Sequence, residues 1–292
     1  MFTGTYTAIV TPFRNGKIDE AALERLIRIQ VRAGVDGIVP VGTTGESPTV
    51  SYDEHIHVIA LSVRFAAGKI KVLAGTGANS TSEAIYLTEN AEKLGADGSL
   101  QVTPYYNKPT QEGLFQHFRA VARKTKLPIV LYSIPGRSGV EIGVETATRL
   151  ARACRNIVGI KEAGGNADRV SQLRAALGQK FEIMSGDDGL TLAFMAAGAQ
   201  GVISVASNVI PREMVRMVKA FADGHARAAL RLHEKYYPLF KDLFIETSPI
   251  PVKAALAMMG QIKEEYRLPL VPISAKNRDR LRKTMRACGV LR

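Results

Sequence analysis

The chain of 292 residues has few of the residues that cross-link small proteins or bind metals. It contains two cysteines and no tryptophan. Neither Cys154 nor Cys288 lies in a CxxC motif or near histidines at ligand spacing, so we expect both to be reduced packing residues. The five histidines form no HExxH motif, and the sequence predicts no metal site.

Long apolar runs are also missing. No uninterrupted apolar stretch is long enough to span a bilayer, and the opening MFTGTYTAIVTPF lacks the basic segment of a signal peptide. We therefore expect a cytoplasmic protein that does not associate with membranes. No GxGxxG motif follows the first apolar run, so no dinucleotide cofactor is predicted.

Positive charge is the one unusual bulk property, with a formal net charge of +12. A basic protein can bind nucleic acid. Here the basic residues are scattered over predicted helices, and apolar positions at helical spacing interrupt the densest cluster, residues 276–283. A solvated helix face is the better interpretation. The positive field would favour small anionic substrates.

Eight short apolar runs recur at about the 30-residue spacing of a βα unit. They cover residues 7–13, 37–46, 71–79, 98–106, 128–136, 157–165, 181–189 and 201–208. The segments between them have helical periodicity, and Ser80 to Glu83 resembles a capping box. Eight strand–helix repeats predict an α/β fold, the (β/α)8 TIM barrel. An open doubly wound sheet is the alternative.

The strand signal stops after residue 224. Residues 225–246, 249–260 and 274–288 are predicted helices, separated by prolines. The sequence therefore predicts a catalytic barrel over 1–224 and a C-terminal helical domain over 225–292. No low-complexity linker separates the two, so we expect them to pack together.

The ends of the predicted strands carry hydroxyl groups around one amine. Active sites of this fold lie at the C-terminal ends of the strands, so these ends can be read as one site. They present Thr43, Thr44, Glu46, Tyr105, Tyr106, Tyr132, Lys161, Ser185, Asp187, Asp188 and Ser204.

Lys161 is the most informative of these residues. It directly follows the apolar run NIVGI, and Glu162 should point to the opposite face of the strand. Burial lowers a lysine pKa. At the ordinary pKa only about one amine in 2,500 is neutral at pH 7, and only the neutral amine attacks a carbonyl. The sequence thus predicts a Schiff base with a keto acid; the alternative is a lysine that reaches solvent or pairs with a carboxylate.

Proton carriers are available beside Lys161. Tyr132, at the adjacent strand end, is the candidate general acid–base, helped by Thr43 and Tyr106. Each tyrosine taken singly could instead be a rim residue with its ring packed. The segment from Thr43 to Gly45 offers hydroxyls and backbone N–H groups to a small carboxylate, or is an ordinary capped turn.

An arginine lies in the tight turn PGRSG. Arg137 could hold the carboxylate of a second substrate through its bidentate fork, or form a surface salt bridge. At another strand end, the acidic pair Asp187-Asp188 is better explained by helix N-capping than by metal binding.

The whole chain resembles the dihydrodipicolinate synthases, now called 4-hydroxy-tetrahydrodipicolinate synthases, of bacterial lysine biosynthesis. The resemblance rests on GTTGE, TPYYNKP, YxxPGRSG, GIKEAGGN, SGDD and IPVK. The blocks GTTGE, YxxPGR and GIKEA are together specific for the pyruvate-dependent aldolase and lyase superfamily, and Arg137 narrows the choice to the synthase.

The resemblance implies a Schiff-base condensation without cofactor or metal. Lys161 would bind pyruvate, and the resulting enamine would attack L-aspartate 4-semialdehyde. Tyr132, Thr43 and Tyr106 would form the proton relay. Tyr106 would come from the neighbouring subunit of a homotetramer built as a dimer of dimers.

The resemblance also implies the binding residues. Thr44 would hold the carboxylate of pyruvate and Arg137 that of the semialdehyde, with Gly186 and Ile203 beside the bound pyruvate. The sequence departs from residues that are frequent in the family at Ser133, Ser138 and Ser248. These departures affect hydrogen bonds near the mouth of the predicted site.

Many members of the family bind lysine as a feedback inhibitor at the dimer interface. The matching positions are Ser47, His55, Asn79, Glu83 and Tyr105. Glu83 would meet the ammonium group of the ligand and Asn79 its carboxylate, whereas Tyr52 and Pro48 depart from the familiar pattern. We expect weak to moderate inhibition by lysine.

Two alternatives remain at this stage. One is another pyruvate-dependent lyase, such as N-acetylneuraminate lyase or a 2-keto-3-deoxy sugar acid aldolase. These share the lysine and tyrosine but generally lack an arginine in the turn of Arg137. The other is a basic barrel that has lost catalysis and binds nucleic acid.

Overall fold

Strands and helices alternate along the chain in a computed structural model that describes residues 1–291. The main strands are β1 (Gly4–Ala8), β2 (Gly37–Val39), β3 (Lys71–Gly75), β4 (Gly98–Val102), β5 (Ile129–Ser133), β6 (Ile157–Glu162), β7 (Glu182–Ser185) and β8 (Gly201–Ser204). The helices that follow them are α1 (Glu20–Ala33), α2 (Tyr52–Ala66), α3 (Thr81–Lys93), α4 (Gln111–Ala122), α5 (Val144–Ala153), α6 (Ala167–Leu177), α7 (Thr191–Ala196) and α8 (Pro211–Ala222). A two-stranded hairpin, Phe13–Arg14 with Lys17–Ile18, lies between β1 and α1.

The eight strands form a closed parallel barrel. β1 pairs with β2 on one side and with β8 on the other, where Gly4 lies opposite Gly201. An open sheet would leave two unpaired edges, and this sheet has none. The predicted TIM barrel is confirmed.

Side chains from alternate strand positions fill the inside of the barrel, as the period of two in a β-strand requires. They form one buried apolar cluster. Its large members are Tyr6, Leu73, Leu100, Tyr132, Met184 and Ile203. The barrel is therefore solid below its C-terminal mouth, and the mouth is where a ligand can enter.

Several helices begin with a side chain that caps a backbone N–H, whereas others, among them α3, do not. The Asp19 side chain accepts from the N–H of Ala22 at the start of α1, and Ser51 with Glu54 forms a capping box on α2. The capping box expected at Ser80 is wrong. Its side chain caps no backbone N–H of α3, and its hydroxyl instead hydrogen-bonds that of Ser82 at 3.0 Å.

Three further helices follow the barrel, as predicted: α9 (Ala226–Asp242), α10 (Ile250–Met258) and α11 (Ala275–Ala287). α10 is the most buried of these, with Val252, Ala254, Ala255 and Leu256 without exposed surface. These residues belong to the same apolar cluster as Leu23 of α1. The C-terminal helices and the barrel helices thus share one core.

The cysteines and the apolar helices can be described in the same way. Cys154 and Cys288 are free and buried, which confirms their role as packing residues. Within residues 1–291, no helix is both long and apolar enough to cross a membrane.

Candidate active site

A cavity of about 480 Å³ opens at the C-terminal ends of the barrel strands. Six of the residues selected from the sequence line it: Thr43, Thr44, Tyr132, Arg137, Lys161 and Gly186. They come from the ends of four different strands, β2, β5, β6 and β7. Barrel closure brings them together.

Lys161 is the buried amine of this cavity. It lies on β6, is 6% exposed, and pairs in register with Tyr132 on β5. Burial lowers the pKa of Lys161 to about 7; the charge of Asp188 opposes this shift and that of Arg137 adds to it. About half of the amine is therefore neutral at pH 7.

Glu162 points away from the cavity, as the alternation of the strand predicts. Its Oε2 accepts from Nε of Arg169, on the outer helix α6, at 2.7 Å. Its Oε1 accepts from the N–H of Gly164 at 2.7 Å. The carboxylate adjacent in sequence is thus occupied elsewhere and leaves Lys161 unpaired.

Tyr132 is a proton-carrying group that lies against this amine. The Nζ of Lys161 lies 4.1 Å from the centre of its ring. Burial raises the pKa of Tyr132 to about 12, partly offset by Arg137. Its phenol is therefore protonated at neutral pH and can donate a proton to a leaving oxygen.

Gly186 allows β7 to approach Lys161 closely. A Cβ atom at this position would lie 3.0 Å from Cε of Lys161 and 2.7 Å from Cβ of Ala163. Even the smallest side chain would therefore press on the reactive lysine, so the site requires glycine here.

The loop that carries Thr43 and Thr44 is held in an unusual conformation. Its short helical turn, Thr43–Gly45, is flanked by Val41 at φ +47° and Glu46 at φ +55°. Such left-handed conformations cost non-glycine residues about 1–3 kcal/mol each and concentrate at functional sites. The loop thus presents its two threonines at some cost in free energy.

Arg137 is exposed at the mouth of the cavity, on a helical turn spanning Pro135–Ser138. Its Nη2 donates to the carbonyl oxygen of Ser248 at 3.3 Å. The Ser138 hydroxyl donates to the carbonyl oxygens of Ile134 and Val140. The serines at 138 and 248 therefore support the turn and leave the remaining N–H groups of the guanidinium free to bind an anion.

The acidic pair at the end of β7 has two separate roles. Asp187 Oδ1 accepts from the N–H groups of Gly189 and Leu190, in the turn before α7. Asp188 Oδ2 instead accepts from Val205 and Ala206, just beyond β8. The N-cap residue of α7 is Leu190, which makes no side-chain capping bond, so the predicted N-capping is wrong for both carboxylates. The charge of Asp188 also acts on Lys161. Over residues 1–291, no cluster of three or more metal-ligating side chains is present.

Two predicted site residues do not line this cavity. Ile203 is buried in the barrel interior, in the same cluster as Tyr132. Tyr106 is 91% exposed and has φ +71°. In a single chain its phenol faces solvent.

A second cavity of about 780 Å³ adjoins the first and shares Thr43, Tyr132 and Arg137 with it. Val41, Leu100 and Val102 also line it and make its wall largely apolar. Ser47 and Tyr105, two of the predicted inhibitor residues, lie on the same wall.

The other predicted inhibitor residues surround Tyr105. Asn79 Nδ2 donates to the carbonyl oxygen of Tyr105 at 3.2 Å. The charge of Glu83 raises the pKa of the Tyr52 phenol. His55 is buried, with Nε2 at 2.8 Å from the carbonyl oxygen of Gly75, and burial lowers its pKa to about 4. His55 is thus neutral at physiological pH.

Reasoning from the sequence did not select Lys253 and did not predict that Glu46, one of the strand-end residues, is its partner. Lys253 has no exposed surface, and its Nζ forms an ion pair with Glu46, next to the threonine loop. A signal was present in the apolar run IPVKAALA, where an interior lysine on a buried helix requires a partner. The partner is 207 positions away in the sequence, so no local pattern identifies it.

The fold and the cavity define a class of protein: a (β/α)8 barrel whose buried lysine faces a hydroxyl-lined pocket at the C-terminal end. The profile of the Dihydrodipicolinate synthetase family matches residues 1–288. The chain belongs to this family.

Individual relatives extend over the whole chain. The 4-hydroxy-tetrahydrodipicolinate synthase of Aquifex aeolicus is 51% identical over 286 residues, covering 98% of this chain and 97% of the relative. The solved structure of the enzyme of that name from Methylacidiphilum fumariolicum SolV is similar with a TM-score of 0.98 and 56% identity, over 99% of this chain and 96% of the other. A dihydrodipicolinate synthase structure from Cyanidioschyzon merolae with lysine bound has a TM-score of 0.97 and 44% identity, over 99% of each chain.

Proposed function

We propose that this chain catalyses the reaction of a 4-hydroxy-tetrahydrodipicolinate synthase, the condensation of pyruvate with L-aspartate 4-semialdehyde. Family membership and the names of its relatives support the reaction. The observation that carries the mechanism is Lys161, a buried amine with a pKa of about 7 that lies against Tyr132.

The first stage is formation of a Schiff base. The neutral Nζ of Lys161 attacks the keto carbon of pyruvate and gives a carbinolamine. Tyr132 donates a proton to the carbinolamine oxygen, which leaves as water, and an iminium ion remains. The hydroxyls and backbone N–H groups of the Thr43–Gly45 turn hold the pyruvate carboxylate, with Thr44 as its main contact.

The second stage forms the new carbon–carbon bond. The iminium withdraws electrons, so the methyl carbon of pyruvate loses a proton to the hydroxyl relay and becomes an enamine. This carbon attacks the aldehyde, while Arg137 holds the carboxylate of the semialdehyde through its guanidinium fork. The amine of the semialdehyde then attacks the iminium carbon, which closes the ring and releases Lys161.

We further propose that a second copy of the chain completes the relay. Tyr106 is exposed in a strained conformation, and each chain has a largely apolar cavity beside Thr43 and Tyr132. A phenol from a neighbouring subunit has the size and character to fill that cavity. This arrangement requires at least a dimer, and we propose a homotetramer built from two such dimers.

Lysine is the proposed effector, because a structural relative holds lysine. Ser47 and Tyr105 line the second cavity, and Asn79 and Glu83 contact or act on Tyr105. The charge of Glu83 can attract the ammonium group of the ligand, and we expect weak to moderate inhibition. Initial rates that do not change in millimolar lysine would contradict this assignment.

The proposed location is the cytoplasm. Cys154 and Cys288 are free and buried, as is usual in a reducing compartment.

Reduction with borohydride in the presence of pyruvate tests the mechanism. We expect mass spectrometry to find a reduced pyruvyl group on the peptide that contains Lys161. The chain supplies a matched control in Lys253, which is also buried but lies outside the cavity and should stay unmodified. Labelling of both lysines, or of neither, would contradict the proposal.

Kinetics with two aldehydes test the substrate. We expect turnover with pyruvate and L-aspartate 4-semialdehyde, and none with pyruvate and N-acetylmannosamine. The opposite preference would assign the chain to the sugar-acid lyases.

A further inference from the structure

A buried ion pair links the threonine loop to the C-terminal helices. Oε1 of Glu46 meets Nζ of Lys253 on α10, and neither side chain has exposed surface. Nζ of Lys253 also lies 4.4 Å from the ring centre of Phe13 and 5.2 Å from that of Tyr266. The faces of aromatic rings attract cations, so the ammonium group is stabilised from several sides.

A second anchor lies beside the first. Oε2 of Glu46 accepts from the backbone N–H of Arg267 at 3.3 Å. The Arg267 guanidinium forms two hydrogen bonds of 2.6 Å to Glu54 and packs 4.4 Å from the ring centre of Phe13. It also donates to the carbonyl oxygen of Thr49 at 2.9 Å. Residues 46–54 are thus held by the C-terminal segment at two points.

The ion pair acts on a strained residue of the threonine loop. Glu46 follows the turn Thr43–Gly45 directly, and its N–H donates to the carbonyl oxygen of Thr43 at 3.1 Å. Its φ of +55° is a conformation that persists only where the surroundings enforce it. A shift at Glu46 would therefore move Thr43 and Thr44, which share a cavity wall with Lys161.

Stability alone does not account for such a pair. Replacing a buried ion pair by apolar groups of similar size is often neutral or stabilising, whereas removing one partner is strongly destabilising. A purely structural role would be filled as well by two hydrophobic residues. The location of the pair, at the strained end of the loop, indicates a role in geometry.

We propose that Glu46 and Lys253 are a positioning pair that holds Thr43 and Thr44 in place for pyruvate binding and carbinolamine formation at Lys161. This inference rests on the proposed function. Neither residue touches substrate. Through this pair the C-terminal helices determine the geometry of the barrel's pyruvate site.

The test compares Glu46→Gln, Lys253→Met and the double variant with the wild-type chain. Thermal unfolding measures stability, and the rate of borohydride trapping at subsaturating pyruvate measures the site. Both single variants should lose stability because each leaves a buried charge unpaired. The double variant should regain most of the lost Tm, yet trap pyruvate roughly tenfold or more slowly than wild type, because small displacements at a reacting site are costly.

Asp242→Asn is the matched control. Asp242 is buried on α9, and its carboxylate binds Thr284 and Arg280 on α11 at 2.6 and 2.7 Å. This change should lower Tm without changing the trapping rate.

The outcomes separate the two proposals. A wild-type chain that traps no pyruvate would refute the proposed function itself. A double variant that recovers stability and also traps pyruvate at the wild-type rate would refute the positioning role. Single variants that lose stability but keep the wild-type trapping rate below their melting temperatures would refute it as well.

Discussion

At the scale of single residues, the reactivity of Lys161 depends on two charges that act in opposite directions. Asp188 raises the pKa of Lys161, and Arg137 lowers it, with burial as the larger influence. Arg137 therefore has two consequences in one cavity. It can hold the carboxylate of the second substrate, and it keeps more of the amine neutral.

Replacing Arg137 by alanine should move the pH profile of pyruvate trapping. Without the guanidinium the pKa of Lys161 rises, so less of the amine is neutral near pH 7 and the acid limb shifts to higher pH. The KM for the semialdehyde should also rise by about tenfold or more, because a charge-assisted bidentate contact is lost. The measurements are trapping rates between pH 6 and 9 and steady-state kinetics.

Arg137→Lys is the matched control. It keeps the positive charge, so the acid limb should stay in place while the KM for the semialdehyde still rises. An unshifted limb in Arg137→Ala would show that this charge does not act on Lys161.

Asp188→Asn should shift the acid limb of the pH profile of pyruvate trapping in the direction opposite to Arg137→Ala. The amide keeps an oxygen that can accept from Val205 and Ala206 but removes the negative charge, so the pKa of Lys161 falls further. The acid limb of pyruvate trapping should then move to lower pH. Trapping is best measured above pH 6.5, since burial raises the pKa of Asp188 to about 6. A limb that moves to higher pH would contradict the assignment.

Lys161→Met should stabilise the fold while it abolishes trapping. The pKa of Lys161 is about 7 in the folded chain and 10.5 for the free side chain. Between these values the unfolded state binds more protons than the native state, so wild-type stability rises with pH through this window. Replacing buried ion pairs by apolar residues is often neutral or stabilising by roughly 1–4 kcal/mol, and we expect a gain within this range for Lys161→Met at pH 7.

Denaturant unfolding at pH 7 and near pH 10 tests this prediction. The advantage of the methionine variant should be largest at pH 7 and shrink toward pH 10. If the methionine variant is no more stable than wild type at pH 7, burial of the Lys161 amine does not destabilise the folded chain.

At the scale of elements, the periodicity of the sequence predicted the eight strands and the three C-terminal helices. Apolar runs and glycines recur once per βα unit. The residues at the strand ends could be assigned to one site because the C-terminal ends of parallel strands lie at the same end of the barrel. The start of α3 after Ser80 was predicted correctly, but the capping box there was not. The serine and acidic residue are present, but the hydroxyl bonds Ser82, so spacing alone did not establish a capping box.

The two serines give a matched pair of helix-cap variants. Ser51→Ala removes a hydroxyl that accepts from the N–H of Glu54 at 3.2 Å. It should lower the free energy of unfolding by about 1 kcal/mol. Ser80→Ala removes no such bond and should change stability by less than about 0.5 kcal/mol.

Chemical denaturation of both variants under identical conditions measures the difference. Equal losses would show that the capping bond of Ser51 does not contribute to stability.

Contacts between distant elements account for what could not be predicted. Residue type and position, with the family resemblance for Gly186, selected six of the residues that line the inner cavity. The pairing of Glu46 with Lys253, and the effect of Asp188 on Lys161, depend on how β2, β7 and α10 approach one another. Such contacts follow from packing of the whole chain, and no window of neighbouring residues contains them.

At the scale of the whole molecule, the barrel and the C-terminal helices behave as parts of one core. The predicted boundary at residue 224 falls between α8 and α9. Apolar residues of α10 and α1 nevertheless belong to one buried cluster. We therefore propose that the barrel and the C-terminal helical domain are consecutive along the sequence but unfold together as one cooperative unit.

Complementation between two inactive variants tests whether sites are shared between subunits. In a mixed dimer of Lys161→Met and Tyr106→Phe chains, one site retains its own Lys161 and receives Tyr106 from the partner. Co-expression should therefore restore activity, although each variant alone is nearly inactive. If Tyr106 acts within its own chain, every site of the mixture lacks one group and no activity returns.

Closure of the barrel between β1 and β8 constrains the order of events during synthesis. Gly4 meets its partner Gly201 only after about two-thirds of the chain has left the ribosome. Until then one side of β1 offers unsatisfied hydrogen-bonding groups, which in other proteins recruit foreign strands. A nascent chain of this family therefore spends most of its synthesis with one edge of β1 unpaired. Chaperones that cover this edge would prevent aggregation.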